Sequence, residues 1–236
     1  ILKDEGLINY KMNRALDYVF EHHHEFTGAN VMEHLDNARR VSVDIFEDAG
    51  DIGTTIHNCR EAWFKLYIKY NKWFDFASEE YVSAVPVDSF SDIRVKSAMR
   101  ALKAFVTEYN YEPIATELLV YDEKLKVGGT LDDIGLATID GKRQLLLMDL
   151  KTSNQFKHHY FFQVALYYTM FKTLTGFRPD KCFIVKLSKE NGLFKIEDLK
   201  CPSKLAVYSR SMIVTNRGLD YIKELRTDNQ KKVLTI

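Results

Sequence analysis

The sequence predicts one α/β or α+β domain, and three observations carry that prediction. Apolar residues recur at helical spacing through roughly the first hundred positions, the pattern turns strand-like at Pro113, and a helix then separates two further pairs of strand-like runs. Ile8, Met12, Leu16 and Val19 give the helical spacing over 8–20. A second helix is expected to begin after Asp51-Ile52-Gly53, with Thr54 or Thr55 as its N-cap, and to run through Ile56, Ala62, Trp63, Leu66 and Tyr70. A third spans about 90–109, with Val95, Met99, Leu102 and Val106 on one side and Arg94, Lys96, Arg100 and Lys103 on the other.

Strands follow. The run 114–121 carries Glu117, and 127–139 opens with Gly128 and Gly129, which permit close backbone approach. Asp140-Gly141 is a hairpin signal, and the return strand 144–150 holds Leu145, Leu146, Leu147 and Met148. So apolar a run suits a strand buried on both faces. A helix over about 157–174 should stop at Gly176, with Pro179 just beyond. Cys182–Leu187 then reads as a buried strand, Phe194–Leu199 as an edge strand, and Leu205–Leu225 as a closing helix. The whole is expected to form one domain over 1–236, with a mostly helical part over 1–110 and the catalytic αβ part over 111–236.

Bulk properties exclude several classes. The 33 basic and 33 acidic residues give a formal net charge of +0, so charge alone does not suggest a nucleic-acid binder, although a locally basic groove is compatible with it. No run approaches the roughly 18 apolar residues of a membrane span, and no signal peptide is visible at the start. The three scattered cysteines, Cys59, Cys182 and Cys201, form neither a disulfide framework nor a CxxC site. A reducing, cytoplasmic setting is therefore expected. Neither GxxxxGK[ST] nor GxGxxG occurs, which argues against a nucleotide-binding enzyme.

The residues that carry chemistry lie between His57 and Tyr167. Asp132 would sit on the second strand and Asp149 at the end of the third, which the hairpin makes antiparallel neighbours. Two carboxylates so placed can converge on one hard divalent cation. Lys151 lies two residues past Asp149 and shares its face, while Leu150 points into the core with its carbonyl available to the metal. The lysine could orient an attacking water or neutralise developing charge. Taken singly, each piece is an ordinary surface pair or turn residue. Their combination suits hydrolysis of a phosphodiester.

The order Gly53-Thr54-Thr55-Ile56-His57, Gly129-Thr130-Leu131-Asp132, Asp149-Leu150-Lys151, Gln163…Tyr167 resembles the PD-(D/E)xK nuclease superfamily, and within it the RecB-like, phage-type exonuclease branch. These motifs cover close to half of the chain. The resemblance implies a restriction-endonuclease-like core with a central mixed β-sheet flanked by helices and a helical N-terminal region. It implies Mg²⁺ or Mn²⁺ held by His57, Asp132, Asp149 and the Leu150 carbonyl, with Asp132, Asp149 and Lys151 catalytic. Gln163 and Tyr167, four residues apart on one helix face, would contact DNA or support the site, as would Thr130 and Glu117. For Glu117 a hydrogen-bonding or salt-bridge role is expected ahead of direct ligation. With three isolated cysteines no iron–sulfur cluster is expected.

The expected activity is a metal-dependent DNA exonuclease of phage or prophage recombination or repair, acting in the bacterial or phage-infected cytoplasm. DNA is the expected partner, together with a homo-oligomeric state and a recombination partner such as a single-strand annealing protein. The alternatives are a structure-specific or restriction-type endonuclease of the same superfamily, and a catalytically inactive DNA-binding module. Other residues invite weaker readings. His22-His23-His24 diverge by about 100° each on a helix and cannot share one ion, and His34 has no evident partner. His158 and His159 could lie near a bound phosphate as non-ligands. Tyr160, Phe161, Phe162, Tyr167, Tyr168 and Phe171 suit core packing or, alternatively, stacking on unpaired bases. Arg94, Lys96, Arg100 and Lys103 suit a solvated face or the wall of a DNA channel.

Overall fold

The computed structural model describes residues 5–153 and 156–233. The chain divides into two compact units, Ile1–Thr55 and Ile56–Ile236. In the first, α1 (Glu5–His22) ends in a short 3₁₀ turn, and α2 (Val31–Tyr70) begins and continues into the second unit. Of the stripe expected on α1, Met12 and Leu16 are exposed, and the side chain of Ile8 lies outside the described residues. His34, for which the sequence offered no partner, stacks on Phe26 at a centroid distance of 4.5 Å and meets the Tyr18 hydroxyl at 3.4 Å.

One expectation is overturned. No helix starts at 51–55: α2 runs through that stretch without a break. The Thr54 and Thr55 hydroxyls donate to the carbonyls of Gly50 and Asp51, four residues back, at 3.1 and 2.9 Å. A threonine bonded backwards in this way sits inside a helix rather than capping it.

The second unit is built on a five-stranded mixed sheet in the order β1-β2-β3-β4-β5. Its strands are β1 (Glu112–Asp122), β2 (Val127–Ile139), β3 (Lys142–Lys151), β4 (Lys181–Leu187) and β5 (Phe194–Asp198). Three pairings are antiparallel, and β3 runs parallel to β4, joined through helix α5 (His158–Thr175) as a parallel pair requires. Ile139 pairs with Lys142, so the β2–β3 loop is Asp140-Gly141 alone, at φ 50° and 71°. Two positive φ values make the type I′ turn that matches strand twist, and they explain this residue pair.

Period-two alternation sorts the sheet into two faces. Leu147, Cys182 and Ile184 join Val164, Ala165, Tyr168 and Phe171 of α5 and Ala206 of α6 (Pro202–Val233) in one core cluster. Met148 and Phe183, in register, take the other face. There Phe183 meets Tyr109 at the end of α4 (Ile93–Glu108), and Tyr111 packs against Phe64 and Phe105. The predicted stripe of α4 (Val95, Met99, Leu102, Val106) is buried, and Asp92 caps the helix by accepting from Arg94 N–H at 2.7 Å. The 145–148 run is thus covered on both sides, which is why it is apolar throughout. No helix among the described residues is long and apolar enough to cross a membrane.

Candidate metal site at the end of the central strands

Strand β3 brings Asp149 and Lys151 to the face covered by α5, with buried Leu150 between them. The Lys151 ammonium stands 2.8 Å from Asp149 Oδ2, and both side chains are largely shielded, at 18% and 2% exposed. The β2–β3 register ends at Asp133–Met148. Past that pair the N–H of Leu150 donates to Asp132 Oδ2 at 2.6 Å, so the carboxylate continues the ladder where backbone pairing stops.

Opposite these residues stand His57 of α2 and Glu117 of β1. His57, Glu117 and Asp132 each offer a ligand atom, and these atoms lie within 4.8 Å of one another, so the group could hold a metal ion. His57 Nδ1 is 3.7 Å from Asp132 Oδ1. Burial lowers the His57 pKa, with Asp132 opposing, so a lone pair is free at neutral pH. Glu117, expected to form a hydrogen bond or salt bridge ahead of ligating a metal, pairs with Arg60 and also offers a ligand atom to this group. Thr130 is exposed on β2 and pairs with Leu119.

Beneath the group lies a residue the sequence reading passed over. Arg60, three positions after His57 on α2, is fully buried. Its guanidinium donates to the Asp132 carbonyl at 2.8 Å and forms ion pairs with Asp133 and Glu117. Burial opposes its charge, but Asp133, Asp132 and Glu117 outweigh it and raise its pKa. Asp133 was missed because it neighbours Asp132 and, by strand alternation, takes the opposite face. The only sequence signal for Arg60 was its i,i+3 spacing from His57.

Charge accumulates here. Asp132, Asp133, Asp149 and Glu117 face Arg60 and Lys151, and the excess of two carboxylates matches one divalent cation. Burial raises three of these carboxyls, and it pushes Asp133 up to about 8 although Arg60 opposes it. Burial, then Asp132, pushes Asp149 up to about 7 against the pull of Lys151. Burial also raises Glu117, with Arg60 opposing. For Lys151 burial favours the neutral form, but Asp149 outweighs it and raises the pKa, so the side chain stays an ammonium.

A second chain of contacts fixes that ammonium. Lys151 Nζ donates to Gln163 Oε1 at 3.2 Å, and Gln163 Nε2 donates to the Tyr167 hydroxyl at 3.0 Å. Tyr167 in turn lies against Gly129, where an added Cβ would come within 2.8 Å of the hydroxyl oxygen and 2.9 Å of a ring carbon. The glycine exists at this position because a tyrosine occupies its side-chain space. Tyr160 covers Lys151 at 4.9 Å from the ring centroid. Among the remaining aromatics of α5, Tyr168 and Phe171 are buried in the core, while Phe161 is partly buried against it. His158 and His159 are exposed at the start of the helix.

No protein-family model matches the sequence, and no curated protein is similar to it. Among solved structures the chain is similar to the protein SSO0001, at 13% identity and a TM-score of 0.29, over 69% of this chain and 73% of that one. A likeness this slight carries no argument about function.

Two substitutions test the architecture. Arg60→Met should destabilise the fold by about 3–5 kcal/mol, because Asp133 is left buried without its counter-charge. Adding Asp133→Leu should restore most of the loss in a urea denaturation series, and an additive double variant would refute the pairing. Gly129→Ala should cost about 1–3 kcal/mol by overpacking against Tyr167. Combined with Tyr167→Phe it should remain costly, since the ring carbon collides as the hydroxyl does; combined with Tyr167→Ala the clash should vanish from the same denaturation curves.

Proposed function

We propose that the chain is a metal-dependent deoxyribonuclease of the PD-(D/E)xK type, close in its motifs to RecB-like exonucleases, and that it degrades DNA from ends in recombination or repair. One observation supports this above the others: His57, Glu117 and Asp132 meet beside a buried Asp149–Lys151 pair. A carboxylate–imidazole donor set with a net negative charge suits Mg²⁺ or Mn²⁺.

A divalent ion at this site would polarise the phosphate and lower the pKa of a bound water. The chain's own residues do the rest. Lys151, kept protonated by Asp149, cannot act as a base at neutral pH; its ammonium holds the attacking water or the oxygen on which negative charge develops. Gln163 and Tyr167 fix its direction. Tyr160 shields it from bulk water, which strengthens its electrostatic effect. Asp132 stays anchored through Leu150 N–H, so its carboxylate is oriented before substrate arrives.

Digestion of linear duplex, linear single-stranded and circular DNA tests the reading, with Mg²⁺, with Mn²⁺ and with EDTA. Loss of the linear substrates alone, only with metal, is the expected result. Cleavage of circles would move the activity to an endonuclease. Asp149→Ala and Lys151→Ala should each lose at least a hundredfold in rate with folding intact, and wild-type rates in either would sink the assignment.

Metal affinity should also depend on pH. Asp149 holds a proton below about 7, and binding must displace it, so Mn²⁺ affinity should rise by up to about tenfold per pH unit up to that value and then level off. In the metal-free protein the sign is reversed. A carboxyl whose pKa is raised on folding costs stability as pH climbs from its unfolded value toward 7. Calorimetric titrations from pH 5.5 to 8 would show both, and a flat Mn²⁺ affinity would contradict the charge balance described above.

A further inference from the structure

Three lysines stand in one row across neighbouring strands. Lys151 of β3 is in register with Lys186 of β4, and Lys186 with Lys195 of β5. Residues in register share a face of the sheet, so the row leaves the ammonium beside Asp149 and runs toward the edge strand in steps of about 4.8 Å. Like charges placed directly opposite one another destabilise a sheet. An anion laid along the row would offset that cost.

The ground beside the row is shaped for one. Lys186 and Lys195, with Ser153, Ser188 and Asn191, line an open cleft of about 290 Å³, whose lining includes one carboxylate, exposed Glu190. The cleft adjoins the metal group through Ser153, whose Oγ accepts from the Tyr160 hydroxyl at 3.1 Å while the Tyr160 ring covers Lys151. The β4–β5 turn forming its far wall is preformed: Ser188 Oγ accepts the N–H groups of Glu190 and Asn191, and Gly192 takes φ 70°. Phe156 lies 5.7 Å from Lys186 Nζ.

We infer that this cleft is a backbone-phosphate subsite, in which Lys186 and Lys195 hold the phosphate next to the scissile one on the strand being cut. The row spans on the order of 10 Å from Lys151 to Lys195, against about 3.4 Å of rise per nucleotide in a stacked strand. That is room for the reacting phosphate and its neighbour. The inference rests on the nuclease reading and gives the substrate strand a direction across the sheet, from the metal group toward β5.

The test is binding of a fluorescent DNA duplex with a single-stranded tail to Asp149→Asn protein, at 50–300 mM salt, with Lys186→Gln and Lys195→Gln added singly and together. Each lysine that contacts a phosphate should weaken binding about fivefold at 100 mM salt and lower the slope of log K against log salt by about 0.7–0.9. Lys204→Gln, an exposed lysine at the start of α6, should change neither by a comparable amount. In otherwise wild-type protein the cleft variants should keep their Mn²⁺ affinity, which separates substrate contact from damage to the metal group. Unchanged DNA affinity and salt slope in the double variant, with DNA still cut by the wild type, would overturn the subsite and leave the nuclease standing. A wild-type chain that neither binds nor cuts DNA would overturn both.

Discussion

The second unit's functional end depends on one guanidinium with no access to water. Arg60 reaches from α2 to β1 through Glu117 and to β2 through Asp133 and the Asp132 carbonyl. A buried ion pair is not in itself strong stabilisation, because desolvation offsets most of the attraction. What it secures here is arrangement: one helix and two strands are held at the place where four carboxylates collect. It also holds a strained residue. Glu117 has φ 52° inside a strand, a left-handed conformation that costs a non-glycine residue about 1–2 kcal/mol. Such strain persists only where neighbouring contacts over-determine it, and the Arg60 ion pair is such a contact.

The acidic side chains divide into two groups by what neutralises them. Asp133 lies on the inner face of the sheet, fully buried, and its partner is the permanent charge of Arg60. Asp132, Glu117 and Asp149 lie toward the open end, and there the permanent cations run short. Burial raises the pKa of Asp149 to about 7, with Asp132 adding to it, and raises that of Glu117; Asp133 too is raised, to about 8, even with Arg60 beside it. Protons at neutral pH are easily exchanged for a cation of higher charge. The same crowding would favour a divalent cation at this group.

Much of this was legible in the sequence, for reasons that differ by element. Strand β2 was read with its observed bounds and the hairpin at Asp140-Gly141 was anticipated, because turn chemistry and alternation are local signals. The face shared by Asp149 and Lys151 followed from a period of two, and the Gln163–Tyr167 contact from a period of 3.6. The continuity of α2 was not legible. Gly53 beside two threonines reads as a helix start, and only the backward hydrogen bonds to Gly50 and Asp51 show otherwise. Arg60 was hidden for a more general reason. A lone arginine on a helix is usually solvated, and nothing local records that two strands, about sixty and seventy residues onward, will bury it.

Glycine 129 shows how such long-range requirements surface in a motif. Gly129, one of two glycines that open β2, leaves room there for close approach. Its small size matters because the Tyr167 ring fills the space, the ring's hydroxyl accepts from Gln163, and Gln163 accepts from Lys151. The residue three positions before Asp132 is thus selected by the lysine on the neighbouring strand, through a helix between them. Lys151 has four flexible bonds and would, unsupported, lose considerable entropy on being held in one direction. Packing α5 against a bare stretch of β2 makes that loss part of folding, so the ammonium is already oriented in the folded chain. The constraint runs from the chemistry outward: a lysine that must point one way requires a glutamine, the glutamine a tyrosine, and the tyrosine a strand with no side chain beneath it.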